Sequence, residues 1–470
     1  MGAGILSRTT SILLIIALSA TAVLMPFWYW ERGLIEVEST TFVQQYLDDR
    51  GMLQKVFDPR RNDLNTYQAR ELSYFVDYLD ARWLEALLRG GHDIFVPLSA
   101  IGASVLTVVV FLAGVRRYGM RPLTAALLLL MYLTNYVHVV TMGMLYRSAK
   151  PMLSPVVMGT AFYLAALVQN SSRETLAGSP RIDPAPVVVF VLFCIMSLLD
   201  RQGFFLALTG FSVLLLNAVF AGGRRDVVAG GAAAIVAMVF YNLIGAPFVV
   251  ESLNGYRPSF EYQRIPLDRL TDPRSWLAAG WLLLQAASVL LGGMPIWVVA
   301  GLVLALGSWA VLPRSGVPRI ATLLFAAVAL GQFVMFAGMV ARHPFIYTYV
   351  DHRLWYYALP FQALVLVGIV VALDLGGAAW SRTQAAALNL TIAAAVLANV
   401  AHWNGYRAAQ LRSWWFPTVY EQTAALKSSL ADSRPLWYLK PQYLRFYRFT
   451  LSVSPVFRAG ADAMPAGDAP

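Results

Sequence analysis

This 470-residue sequence is poorest in charge and in thiols: charged residues make up 13% of it, and Cys194 is its one cysteine. A soluble domain carries about 25% charged residues. A chain this poor in charge and 58% hydrophobic is therefore expected to bury its apolar surface mostly in lipid. One thiol makes no internal disulfide, and Cys194, inside VVVFVLFCIMSLL, reads as a small apolar residue of a span. The five histidines (His92, His138, His343, His352 and His402) are scattered, with no metal-ligand spacing. No phosphate-cradling P-loop and no Gly-x-Ser-x-Gly elbow is present. A nucleotide-driven pump and an ordinary serine hydrolase thus find no support in the sequence. The first apolar run, SILLIIALSATAVLMPFWYW, lacks a small-residue cleavage site and ends in aromatics, so it is expected to stay as a signal anchor.

What is present is a succession of apolar runs. A spanning helix needs roughly 20 mostly apolar residues. Candidates are 11–28, 95–115, 123–142, 153–169, 186–200, 203–221, 228–249, 294–312, 319–341, 354–374 and 384–401. A further run at 276–292 is expected to lie at the interface or re-enter. The net charge of +10 comes from basic residues in short runs between these segments rather than on one arm or face. That pattern sets membrane orientation and speaks against nucleic acid as a partner. Arg116, Arg117, Arg121, Arg173, Arg181, Arg224, Arg225, Arg314, Arg319 and Arg382 all fall on one side if the N-terminus is cytoplasmic.

The expected fold is thus an all-α polytopic membrane protein of about eleven spans. Its transmembrane domain covers 1–402, and a basic, aromatic tail covers 403–470 on the outer face. Outer loops cover 29–94, 250–275 and 341–353, and the first holds twelve of the 26 acids. In that loop YQARELSYFVDYLD has helical spacing. Arg70, Ser73, Asp77 and Asp80 share one face, and Leu72, Phe75, Val76, Leu79 and Trp83 share the other. An amphipathic helix lying on the membrane, its acids toward water, is expected.

Charge at span ends is costly and tends to mark function. Arg147 in GMLYRSAKP, Asp200–Arg201 in LLDRQGFF, and Asp351–His352–Arg353 in YVDHRLWYYALP all fall on the outer side of this topology. Guanidinium groups bind phosphate oxygens in a bidentate fork, so such a cluster suits a phosphate or pyrophosphate headgroup.

The order and sidedness of these motifs resemble the GT-C glycosyltransferases, in particular the protein-mannosyltransferase-like and tetratricopeptide-bearing O-mannosyltransferase branches. The resemblance rests on TYQARELSYFVD, on HVVTMGMLYRSAKPML, loosely on Asp200–Arg201, and on DHRLWYYALP with Asp351, Arg353, Tyr356 and Pro360. The family's early acidic pair is matched by Glu36 and Glu38 in LIEVEST, or by Asp48–Asp49 in YLDDRG. What the resemblance implies is a GT-C-like bundle acting at the outer face of a bacterial cytoplasmic membrane. A polyprenyl-phosphate-linked sugar would be the donor, and an envelope glycan, lipid or protein the acceptor.

Within that reading Arg353, Arg147 and Arg70, with Tyr356, would hold the donor phosphate. Glu38, or one of Glu36, Asp48 and Asp49, would act as base. Asp77, Asp80, Asp351, Asp200 and Arg201 would support them. The family varies in metal use, so Mg²⁺ or Mn²⁺ held by loop carboxylates stays open. Two other readings share the topology: a polymerase or ligase of lipid-linked glycans, and a lipid or solute transporter.

Overall fold

Lipid offers the backbone no hydrogen-bond partner, so apolar runs of this length must satisfy their peptide groups internally as helices. The structure is a computed structural model. It describes residues 8–30, 46–47, 49–57, 69–92, 97–143, 148–171, 183–258, 267–293, 316–342, 350–376 and 382–412. Among these the regular elements are all helical. They are α1 (Arg8–Trp30), α2 (Met52–Phe57), α3 (Glu71–Arg89), α4 (Leu98–Arg117), α5 (Pro122–Thr134) and α6 (Tyr136–Gly143). Next come α7 (Ala149–Ser171), α8 (Ala185–Leu199), α9 (Arg201–Ala221), α10 (Arg225–Phe240), a π-helical turn (Tyr241–Gly245) and α11 (Ala246–Asn254). The chain continues with α12 (Leu267–Leu270), α13 (Pro273–Leu290), α14 (Gly316–Arg342), α15 (Val350–Gly376) and α16 (Arg382–Arg412).

Among the described residues seven helices are long and apolar enough to cross a membrane, the stretch Arg225–Asn254 counting as one, so the chain is an integral, polytopic membrane protein. Helices α5 and α6 add an eighth span if their 60° bend is a break within one crossing. Shorter apolar stretches, Leu13–Pro26 and Ala185–Leu199, lie in α1 and α8. The expected higher count is met only to that extent, and its 294–312 segment lies outside the described residues. The run at 276–292 is α13. Its stripe of Ala279, Leu282, Ala286 and Leu290 is buried, and it packs on α14 and α15 within the bundle.

Two apolar cores hold the helices together. The larger draws on α1, α4, α5, α6, α13, α14 and α15 around Phe111, Tyr132 and Phe336. The smaller joins α7, α8, α9 and α10 around Phe193. The corner between α8 and α9 is tight. A side-chain carbon on Gly203 would stand 1.8 Å from the Met196 carbonyl oxygen, so glycine is required for the turn at Asp200. Helix α3 lies across one end of the bundle and contacts α2, α4, α7 and α8. Alongside it α2 is tied to α11: Gln54 Nε2 donates to the Leu253 carbonyl at 3.1 Å, and Asn254 Nδ2 donates to the Gln54 carbonyl at 3.4 Å.

Candidate functional site

Helix α3 is amphipathic in the expected register, but the packing is the reverse of the expected one. Its polar face is the buried one: Arg70, Ser73, Asp77 and Asp80 are each less than a tenth exposed. Its apolar residues Phe75, Leu79 and Trp83 are left open on the outside. The expectation that Asp77 and Asp80 face water is therefore corrected. Lipid accepts an apolar stripe without penalty, whereas a carboxylate needs donors, and the bundle supplies them.

Those donors are the starts of other helices. The first backbone N–H groups of any helix lack intrahelical partners. Asp80 accepts the Ser99 N–H at 2.8 Å and the Ser99 hydroxyl at 2.5 Å, at the start of α4. Asp77 accepts the Ser148 N–H at 3.1 Å, just before α7. The Ser148 hydroxyl donates to the Ser73 carbonyl at 3.1 Å. Asp200 accepts the Gln202 N–H at 2.8 Å and caps α9. Three helix N-termini thus meet at one end of the bundle, each answered by an aspartate of favourable charge.

Asp200 does more than cap. Lys150 Nζ donates to its Oδ1 at 2.5 Å, and Arg70 Nη1 stands 3.5 Å from its Oδ2. Lys150 is fully buried and also lies 4.7 Å from the centroid of the Tyr357 ring. Arg70 lies 4.9 Å from the ring centroid of Tyr74. Gln202 Nε2 donates to the Tyr357 carbonyl at 2.8 Å and fastens α9 to α15. Two cations and one carboxylate, packed between two aromatic faces, form the charged centre of the site. Arginine and lysine gain from such faces because the ring quadrupole attracts a cation.

Two nearby carboxyls are pushed toward neutrality. Burial raises the Glu71 carboxyl to about 7, partly offset by its own backbone N–H and by Tyr241. Tyr241 lies beside it, but neither carboxylate oxygen completes a hydrogen bond. Burial likewise raises Asp80 to about 7, against the two Ser99 hydrogen bonds, with Asp77 adding to the rise.

Of the residues picked out from sequence, Arg70, Asp77, Asp80 and Asp200 come together here. Arg201 stands beside them at the first position of α9, half-buried. Asp351, Arg353 and Tyr356 lie on the first turns of α15, with Arg353 one turn before Tyr357, and their side chains are outside the described residues. Glu36, Glu38, Asp48 and Arg147 also lie outside them. Asp49 is exposed in the turn ahead of α2. Among the described residues no group of His, Cys, Asp and Glu has the spacing to hold a metal ion.

Sequence reasoning missed Lys150, Tyr357 and the buried state of Glu71. For Lys150 a signal existed. A cation in the first turn of an apolar helix opposes the helix dipole, so Lys150 in SAKP required a carboxylate partner from elsewhere in the fold. Compared with protein-family models, curated proteins and solved structures, the chain matches none.

Proposed function

We propose that this protein is a membrane glycosyltransferase that moves a sugar from a polyprenyl-phosphate donor to a cell-envelope acceptor on the outer face. The observation that carries this reading is the charged centre: two buried cations, Arg70 and Lys150, share one carboxylate, Asp200, beside a helix whose open side is apolar. A buried guanidinium and a buried ammonium group suit the phosphate oxygens of an anionic headgroup. The open stripe of α3 suits the lipid chain attached to it.

In the reaction an acceptor hydroxyl oxygen attacks the anomeric carbon while the bond from that carbon to the phosphate oxygen breaks. Polyprenyl phosphate leaves, and the anomeric configuration inverts. The cations offset the charge that grows on the leaving phosphate. A loop carboxylate, Glu38 by preference, takes the proton from the acceptor hydroxyl. Glu71, raised like Asp80 to about 7, is a described carboxyl whose proton affinity also suits that task.

The test is sugar transfer by purified protein from a polyprenyl-monophosphate sugar, with a pyrophosphate-linked glycan supplied in parallel. Arg70→Lys keeps the charge and loses the fork, and transfer is expected to fall by about 10-fold or more. Full activity in Arg70→Lys, Glu38→Gln and Glu71→Gln together would remove the proposal. A transporter reading draws on one observation, the 60° break between α5 and α6, since broken helices line transport sites. Flux of the lipid-linked sugar across proteoliposomes without transfer would favour it.

A further inference from the structure

The break between α5 and α6 is organised by Asn135. Its Oδ1 accepts the His138 N–H at 3.2 Å, capping α6, and its Nδ2 donates back to the Tyr132 carbonyl that ends α5. The side chain thus satisfies peptide groups on both sides of the bend, which lets a helix break inside an apolar core without orphaned backbone. The side chains presented at the break are not satisfied. His138 is fully buried, and neither ring nitrogen has a hydrogen-bond partner among the described residues. Tyr132 packs edge-on to it, the ring centroids 5.2 Å apart. The Tyr132 hydroxyl is turned toward Ser154 but completes no hydrogen bond. Ser154 spends its own hydrogen on the Lys150 carbonyl at 2.8 Å.

Leaving an imidazole and a phenol unsatisfied is costly, and buried polar groups in folded proteins are nearly all satisfied. A neutral imidazole presents one donor and one acceptor, and a phenol presents both. Water and alcohols match that set. Asn135 and Ser154, the polar side chains beside these two rings, are uncharged. Lys150 sits one turn from Ser154 on α7, about 5.4 Å along the axis, and is paired with Asp200. Among the described residues no charged side chain pairs with either ring, so neutral hydroxyl groups match the break best.

We infer that the α5–α6 break is a second polar site, one turn deeper than the charged centre, in which His138 and Tyr132 bind hydroxyl groups. The occupant is water, or the hydroxyl of a polyol or sugar. This site stands whether or not the protein transfers sugars.

X-ray radiolytic footprinting of the full chain in lipid nanodiscs tests it, because a buried side chain is oxidised where a bound water supplies the radical. His138 and Tyr132 are expected to label several-fold faster than Phe111 and Phe193, aromatics that are equally buried in the apolar cores. Tyr132→Phe is expected to slow labelling of His138 while the protein keeps its melting temperature. Adding glycerol separates the two occupants. Protection of His138 assigns the site to solute hydroxyls as well as water, and unchanged labelling assigns it to water. Labelling of His138 and Tyr132 no faster than that of Phe111 and Phe193 would overturn the proposal.

Discussion

The protein places an arginine among acids at two different loci, and the two are built in opposite ways. Away from α3, at the helix ends near Gly222, Arg224 pairs with Asp183 and Asp226, and all three side chains keep roughly a quarter to a half of their surface in water. At the α3 end, Arg70 and Lys150 pair with Asp200 with almost no exposure. Exposed pairs contribute about 0–1 kcal/mol. A buried set carries a desolvation cost of several kcal/mol per ion, regained only through close geometry and further hydrogen bonds. The first arrangement is what basic loops at a membrane surface produce by default. The second is costly, and it holds only because the bundle surrounds the three charges with close partners.

The comparison can be broken most directly at Asp200. Asp200→Ala leaves two buried cations facing each other and uncaps α9, so a loss of about 3–5 kcal/mol is expected. It would appear as a large drop in melting temperature in detergent. Lys150→Met in the same background should recover part of that loss. If Asp200→Ala melts with the wild type, the ion triplet is not the buried unit described.

A smaller effect is expected from pH. Glu71 and Asp80 titrate near 7 in the folded protein, against ordinary values of 4.5 and 3.8. The unfolded chain thus releases these protons first. Their stabilisation is complete below about pH 4 and is lost as the pH rises toward 7. Glu71 alone accounts for about 3 kcal/mol across that window. Melting temperature measured across the window should fall less steeply with pH in Glu71→Gln than in the wild type. Identical slopes would mean that this carboxyl is solvated.

The smallest effect belongs to the other locus. Arg224→Ala is expected to cost under about 1 kcal/mol, and added salt should shrink even that. A loss as large as that of Asp200→Ala would erase the contrast between the two loci.

Much of the fold is legible in the sequence, because lipid forces long apolar runs into helices. The register of α3 is legible too: the residues assigned to its two faces do lie on two faces. Which face packs inward is not. In water the apolar face must be buried, whereas in a membrane apolar residues suit both the lipid and the core. The side that needs protein donors then goes inside, as Asp77 and Asp80 show. Lys150 escaped notice because a lysine between two spans looks like an orientation signal, and its partner, Asp200, is 50 residues away. The broken helix was hidden for a related reason. The run 123–142 reads as one continuous span, and the two-sided hydrogen bonding of Asn135 turns it into a bend.

The π-helical turn Tyr241–Gly245 has a consequence for how the cap is aimed. A π turn holds one residue more than an α turn, and each residue of helix is worth about 100° of rotation. The membrane-length stretch Arg225–Asn254 is therefore two helices with mismatched bearings. Met238 and Ala234 point at the bundle, while Ala246 and Val250 pack with Val56 and Tyr74 of the cap. That extra residue acts as an indexing tooth. Were it deleted, α10 would keep its seat, but α11 would be dialled away from Gln54, and Tyr241 would lose its bearing on Glu71. The alignment of α2 and α3 at that end of the bundle is set by one residue of slack in the stretch Arg225–Asn254.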